Sequence, residues 1–117
     1  MSNNKSFSGG ISQRYALALL ELSSEANKTD EYVSSLSNFL KIYYSDNNLK
    51  NYIKNPTNTN QSQKEVFEKI LNVMNADKII KNFFFILINK KRIFFVREII
   101  EEFLKLVSHK KGEISAN

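Results

Sequence analysis

The chain has 117 residues, a net charge of +5 from 17 basic and 12 acidic side chains, and an apolar content of 42%. That length suits one modest core and is too short for a multi-domain enzyme. With no cysteine there can be no disulfide, thiol nucleophile or thiolate-bound metal. Three glycines and one proline are too few for the tight turns of a β-rich fold, so the composition points to helices.

Residues 1–10 are polar, lack the apolar core of a signal peptide and the arginines of a transit peptide, and read as a flexible tail on a cytoplasmic protein. Ser8-Gly9-Gly10 is expected to break this tail from a single helical domain over residues 11–112. A first helix is predicted from about residue 11 to 26. Thr29 or Asp30 can cap a second, because their side-chain oxygens accept free backbone N–H groups. Val33, Leu36, Phe39, Leu40 and Tyr43 follow at helical spacing as its core stripe. Ser45 or Asp46 caps a short third helix carrying Leu49, Tyr52 and Ile53.

Pro56, set among asparagines and threonines, forbids helix continuation and marks the one strong break. Asn60 with Gln63 resembles a capping box opening a fourth helix, whose inner face holds Val66, Phe67, Ile70, Leu71 and Met74. Residues 75–77 form a corner into a fifth helix that ends near Lys90. Arg92 is expected to start a sixth, with Val96, Ile99, Ile100, Phe103, Leu104 and Val107 along one side. His109, Lys110 and Lys111 suit the negative end of that helix dipole, and Gly112 is a natural stop. Residues 113–117 read as the start of a linker to a segment that is cut short. Six helices with short links make an all-α, six-helix bundle.

Two segments carry more apolar residues than one core-facing stripe requires. Phe83 to Ile88 is six apolar residues in a row, closed by the basic Lys90-Lys91-Arg92, and Tyr15 to Leu20 is apolar for nearly two turns. On the first helix Ile11, Tyr15, Leu19, Leu22 and Ala26 fit one stripe, while Leu17 and Ala18 fall off it. On the fifth, Ile80, Phe84, Leu87 and Ile88 serve the core while Phe83 and Ile86 project elsewhere. Either these helices are surrounded by neighbours, or they form a groove for an amphipathic partner helix.

Little here suggests catalysis. His109 is the only histidine and suits a helix-end cation. Glu98, Glu101 and Glu102 lie on the polar face of the last helix, where Glu101 and Lys105 can form a weak surface pair. Gly9-Gly10 has neither the preceding strand nor the following lysine of a phosphate loop. No cofactor, metal site or catalytic residue is assigned. No apolar run approaches the roughly 20 residues of a membrane span. Lys90, Lys91 and Arg92 beside Phe84, Phe85, Phe94 and Phe95 could stack single-stranded nucleic acid, although phenylalanines at helical spacing usually form core.

Three segments together resemble the delta subunit of F-type ATP synthases, whose mitochondrial counterpart is the oligomycin-sensitivity-conferring protein. They are Arg14-Tyr15-Ala16-Leu17-Ala18-Leu19-Leu20, the central Asn82-Phe83 with Leu87, Asn89 and Arg92, and the closing Phe103-Leu104 with Lys111-Gly112. The resemblance covers nearly the whole chain after residue 10. It implies a six-helix N-terminal domain in a non-catalytic stator, or peripheral-stalk, subunit. The partner it implies is the amphipathic N-terminal helix of an alpha subunit of the catalytic head, held between the first and fifth helices. By position it places Tyr15, Ala18 and Leu19 in that groove from the first helix. From the fifth it places Phe83, Ile86 and Leu87, with Lys90 at the rim. It further implies peripheral-stalk b subunits as partners through the absent C-terminal domain, no nucleic acid, no insertion into the membrane, and a place at the cytoplasmic face of a bacterial inner membrane. The alternative is a helical RNA-binding antitermination factor of the NusB type, which opens with a similar Arg-x-x-Ala-rich helix and would use the basic surplus.

Overall fold

The computed structural model describes the backbone of residues 3–115 and the side chains of residues 9–110. The fold is all-α, of the six-helix bundle class that the sequence predicts, with no strand among the described residues. The helices are α1 (Asn3–Glu25), α2 (Thr29–Ser45), α3 (Asn47–Lys54), α4 (Asn60–Val73), α5 (Lys78–Asn89) and α6 (Val96–Ser115), with a single 3₁₀ turn at Ile93–Phe95.

The chain divides into two compact units, one of residues 1–33 and 95–117, the other of residues 34–94. In the first, α1 packs against α6. The face that α1 buries runs through Ser12, Ala16, Leu19 and Ser23, and α6 buries Val96, Ile99, Ile100, Phe103 and Val107. The buried hydroxyls are paired. Ser12 Oγ donates to Glu98 Oε1 at 3.2 Å, and Ser23 Oγ donates to the Leu20 carbonyl at 2.9 Å while lying 3.1 Å from Thr29 Oγ1. Only Ile11 and Leu19 of the predicted α1 stripe are buried. Leu22 is 39% exposed, because small side chains at positions 12, 16 and 23 rotate the buried face away from it.

The second unit is built around three fully buried phenylalanines from different helices. Phe39 of α2 meets Phe84 of α5 edge-on at 5.1 Å between centroids, and Phe67 of α4 lies 5.7 Å from Phe84 and 6.1 Å from Phe39. These spacings are favourable for aromatic pairs and place α2, α4 and α5 around one centre. Asp46 caps α3 by accepting from the N–H groups of Asn48 and Leu49, as the sequence predicts. The cap of α4 is Thr59, which accepts from Ser62 N at 3.1 Å. Asn60 is therefore the first helical residue, and Gln63 is buried instead of closing a capping box.

The glycines do not end helices here. α1 runs through Gly9-Gly10 and begins at Asn3, eight residues before the predicted start, and α6 runs through Gly112 to Ser115. An added Cβ at Gly9 or Gly10 would meet nothing within 4 Å, so packing does not require glycine there, and helix costs each one backbone entropy. His109, Lys110 and Lys111 consequently lie inside α6 and not in its last turn. α1, α4 and α5 stop instead at left-handed residues that are not glycine: Asn27, Asn75 and Lys91, with φ of 56°, 59° and 60°. Each makes the same paired closure. Lys28 N donates to Ser23 O and Asn27 N to Ser24 O after α1; Ala76 N to Leu71 O and Asn75 N to Asn72 O after α4; Arg92 N to Leu87 O and Lys91 N to Ile88 O after α5. These bonds satisfy carbonyls that a helix end leaves open. The last of them separates α5 from the 3₁₀ turn, so α6 begins at Val96 and not at Arg92.

Candidate partner-binding flanks

A helix with one buried face exposes the residues on its flanks. On α1 the flank beside the buried line carries Ile11, Tyr15, Ala18 and Leu22, spaced four, three and four residues apart. Ile11 is buried, Tyr15 half-buried, and Ala18 and Leu22 are exposed. On α5 the buried residues are Ile80, Phe83, Phe84, Leu87 and Ile88. The flank beside them carries Ile79, Phe83, Ile86 and Lys90 at the same spacing, with Ile79 half-buried, Ile86 46% exposed and Lys90 exposed. Each helix thus presents a short apolar line that reaches solvent, at Ala18 and Leu22 on α1 and at Ile86 on α5, where Lys90 closes it.

The seven residues assigned to the groove fall into three groups. Ala18, Ile86 and Lys90 are exposed and Tyr15 is half-buried. Leu19, Phe83 and Leu87 are buried, so any contact they make with a ligand is with the floor of the flank, not its crest. Phe83, expected to project away from the core, is only 4% exposed. Leu22 and Ile79 share the flanks and were not assigned to them. Continuing the four–three–four spacing from Tyr15 and Phe83 would have found both.

The basic and aromatic residues at the end of α5 do not form one stacking platform. Phe84 is fully enclosed in the aromatic centre, Phe85 is half-buried, and Phe94 is 58% exposed. Among the carboxylates of α6, Glu101 accepts from Arg97 Nη1 at 2.8 Å and Glu102 lies 3.9 Å from Lys105 Nζ. These are partly exposed pairs on a helix surface, each worth ~1 kcal/mol at most. Among the described residues no group of three or more His, Asp or Glu side chains could hold a metal ion, and no helix is long and apolar enough to cross a membrane.

Comparison with known proteins gives a consistent result. The family model described as ATP synthase delta (OSCP) subunit matches residues 11–117. The ATP synthase subunit delta of Pelagibacter ubique (strain HTCC1062) is 35% identical over 116 residues, covering 99% of this chain and 63% of the relative. That of Clostridium botulinum (strain Langeland) is 35% identical over 107 residues, 92% of this chain and 59% of the relative. That of Clostridium perfringens (strain SM101) is 35% identical over 96 residues, 82% and 53% respectively. The chain spans little more than half the length of these relatives.

Proposed function

Because the chain belongs to the ATP synthase delta (OSCP) subunit family, we propose that it serves in the stator of an F-type ATP synthase as a non-catalytic clamp on the catalytic head. The ligand of the clamp is the amphipathic N-terminal helix of an alpha subunit, taken by the flanks of α1 and α5. The observation that carries this reading is the four–three–four spacing shared by the two flanks, Ile11, Tyr15, Ala18 and Leu22 on α1 and Ile79, Phe83 and Ile86 closed by Lys90 on α5, each with exposed apolar groups beside buried ones. An incoming helix repeats its own apolar residues at the same spacing, so it can lay a continuous stripe along such lines.

The exposed ends of the lines supply the recognition. Ala18 is small enough to let a second helix backbone come close, and Leu22 and Ile86 each offer an apolar side chain that water now covers. Removing those side chains from water favours the complex by roughly 25 cal/mol per Å² of apolar surface, before the cost of immobilisation. Lys90 at the solvent end of the α5 line suits a carboxylate on the partner. A stator must resist torque, and affinity from buried apolar anchors is expressed mainly as slow dissociation.

In the same reading the subunit sits as a peripheral component at the cytoplasmic face of a bacterial inner membrane, and contact with the b subunits belongs to the part of the family's length that this chain does not span. Calorimetric titration with a synthetic peptide of the cognate alpha-subunit N-terminal helix tests the clamp. One-to-one binding is expected, changing little in affinity between low and high salt and lost in Ala18→Asp. Ala18 is exposed, so that variant should keep its unfolding midpoint, and loss of binding then reports the surface alone. A folded wild-type chain that ignores the peptide, and instead binds RNA with a steep fall in affinity as salt rises, would favour the antitermination reading.

A further inference from the structure

A cavity of about 300 Å³ opens in the second unit, where the turn between α3 and α4 faces the end of α5. Ile53, Ile93 and Phe94 give it an apolar lining. Lys54 and Lys91 stand exposed at its edge, and no acidic residue is among the described residues that line it. Gln63, also in its wall, is only 7% exposed. No hydrogen bond ties the Gln63 amide to another described residue, and among the described residues no fully buried side-chain polar atom lacks a partner. Both amide atoms of this wall residue therefore keep some contact with solvent, and a donor and an acceptor remain for a ligand.

The walls are held in place. Thr57 N and Thr57 Oγ1 both donate to Asn55 Oδ1, at 3.0 and 2.7 Å, and Asn58 Nδ2 donates to the Tyr52 carbonyl at 2.8 Å. Lys91 keeps its position by a left-handed backbone that a lysine adopts only at a cost. A site prepared before binding loses less conformational entropy when it is filled.

We propose that this cavity is a second protein-docking site, which receives one large apolar side chain of an acidic peptide segment. The volume is at the low end for ligand pockets, which run from about 300 to 1,000 Å³, and fits one side chain better than a cofactor. Lys54 and Lys91 attract the carboxylates beside that anchor, and the Gln63 amide pairs with a peptide group. The site lies wholly within the second unit, so it stands or falls independently of the α1 and α5 flanks.

The test is an amide-shift titration of the whole chain with a blocked pentapeptide, one phenylalanine between two pairs of aspartates. Saturable shifts centred on Ile53, Gln63, Ile93 and Phe94 are expected. Affinity should fall by about fivefold or more when asparagine replaces aspartate in the peptide, and similarly in Lys54→Glu and in Lys91→Gly. Lys91→Gly relieves the left-handed backbone, and its unfolding midpoint, measured alongside, separates weaker binding from loss of fold. Absence of saturation, shifts centred elsewhere, or equal binding of the asparagine peptide overturns the proposal. Binding of N-acetylphenylalaninate as tightly as the peptide also overturns it, and assigns the cavity to small carboxylates instead.

Discussion

The two units of this protein build their interiors by opposite means. In the first, where α1 packs on α6, α1 buries the small side chains of Ser12, Ala16 and Ser23, with Ser12 paired to Glu98 of α6 and Ser23 to the Leu20 carbonyl. In the second, three phenylalanine rings from α2, α4 and α5 fill one centre. A small-residue contact has no slack for added volume. An aromatic centre has no substitute for lost volume. The difference also reaches the surface: the narrow buried line on α1 leaves Leu17 and Leu22 outside, whereas α5 buries five of its apolar residues and leaves Ile86 as its exposed one.

Removing volume from the aromatic centre should have the largest effect. Phe84 touches both other rings and is fully buried, so Phe84→Ala is expected to cost about 3–5 kcal/mol, measured by urea unfolding. That is a large share of the ~5–15 kcal/mol by which a domain of this kind is stable. Adding volume to the small-residue contact comes next. Ala16→Leu should destabilise by about 1–3 kcal/mol, because α6 must move or the new side chain must leave its preferred rotamer. If Ala16→Leu were neutral, the α1–α6 contact would not be the tight one described, and the contrast between the units would fail.

The smallest expected change is a gain. Lys91 ends α5 with φ of 60°, a conformation that costs a non-glycine residue about 1–2 kcal/mol. Lys91→Gly should therefore raise the unfolding free energy by about 1 kcal/mol, reduced by the larger entropy that glycine brings to the unfolded chain. An unchanged or lower midpoint would mean that the lysine side chain contributes more to this corner than its backbone costs.

Much of the fold was legible because helical periodicity is strong in long segments. The buried residues of α6 were all on its predicted stripe, as were Phe67 and Leu71 of α4 and Leu36, Phe39 and Tyr43 of α2. Fully buried Tyr32 escaped notice, because its hydroxyl suits a surface as well as a core. The ends of α1 near residue 26, of α4 at the 75–77 corner and of α5 near Lys90 were legible too, whereas the breaks expected at Gly9-Gly10 and Gly112 fall inside helices and the left-handed closures sit at Asn27, Asn75 and Lys91. Asparagine in the left-handed region is a recognisable signal, while lysine gives none.

For the candidate surface, the sequence supplied the choice of helices and the structure supplied the choice of face. Excess apolar character in Tyr15–Leu20 and Phe83–Ile88 is a property of composition and spacing, and it can be counted in the chain itself. Which of those residues end in solvent depends on how far each helix is rotated about its axis. That rotation follows from side-chain volumes on packed faces: Ser12, Ala16 and Ser23 turn α1 one way, and Phe84 at the aromatic centre fixes α5. The sequence by itself determined an all-α chain of six helices, their approximate places and its family. Only the tertiary structure decided that Ala18, Leu22 and Ile86 are outside while Leu19, Phe83 and Leu87 are within, because burial is set by neighbours distant in the chain that no local pattern names.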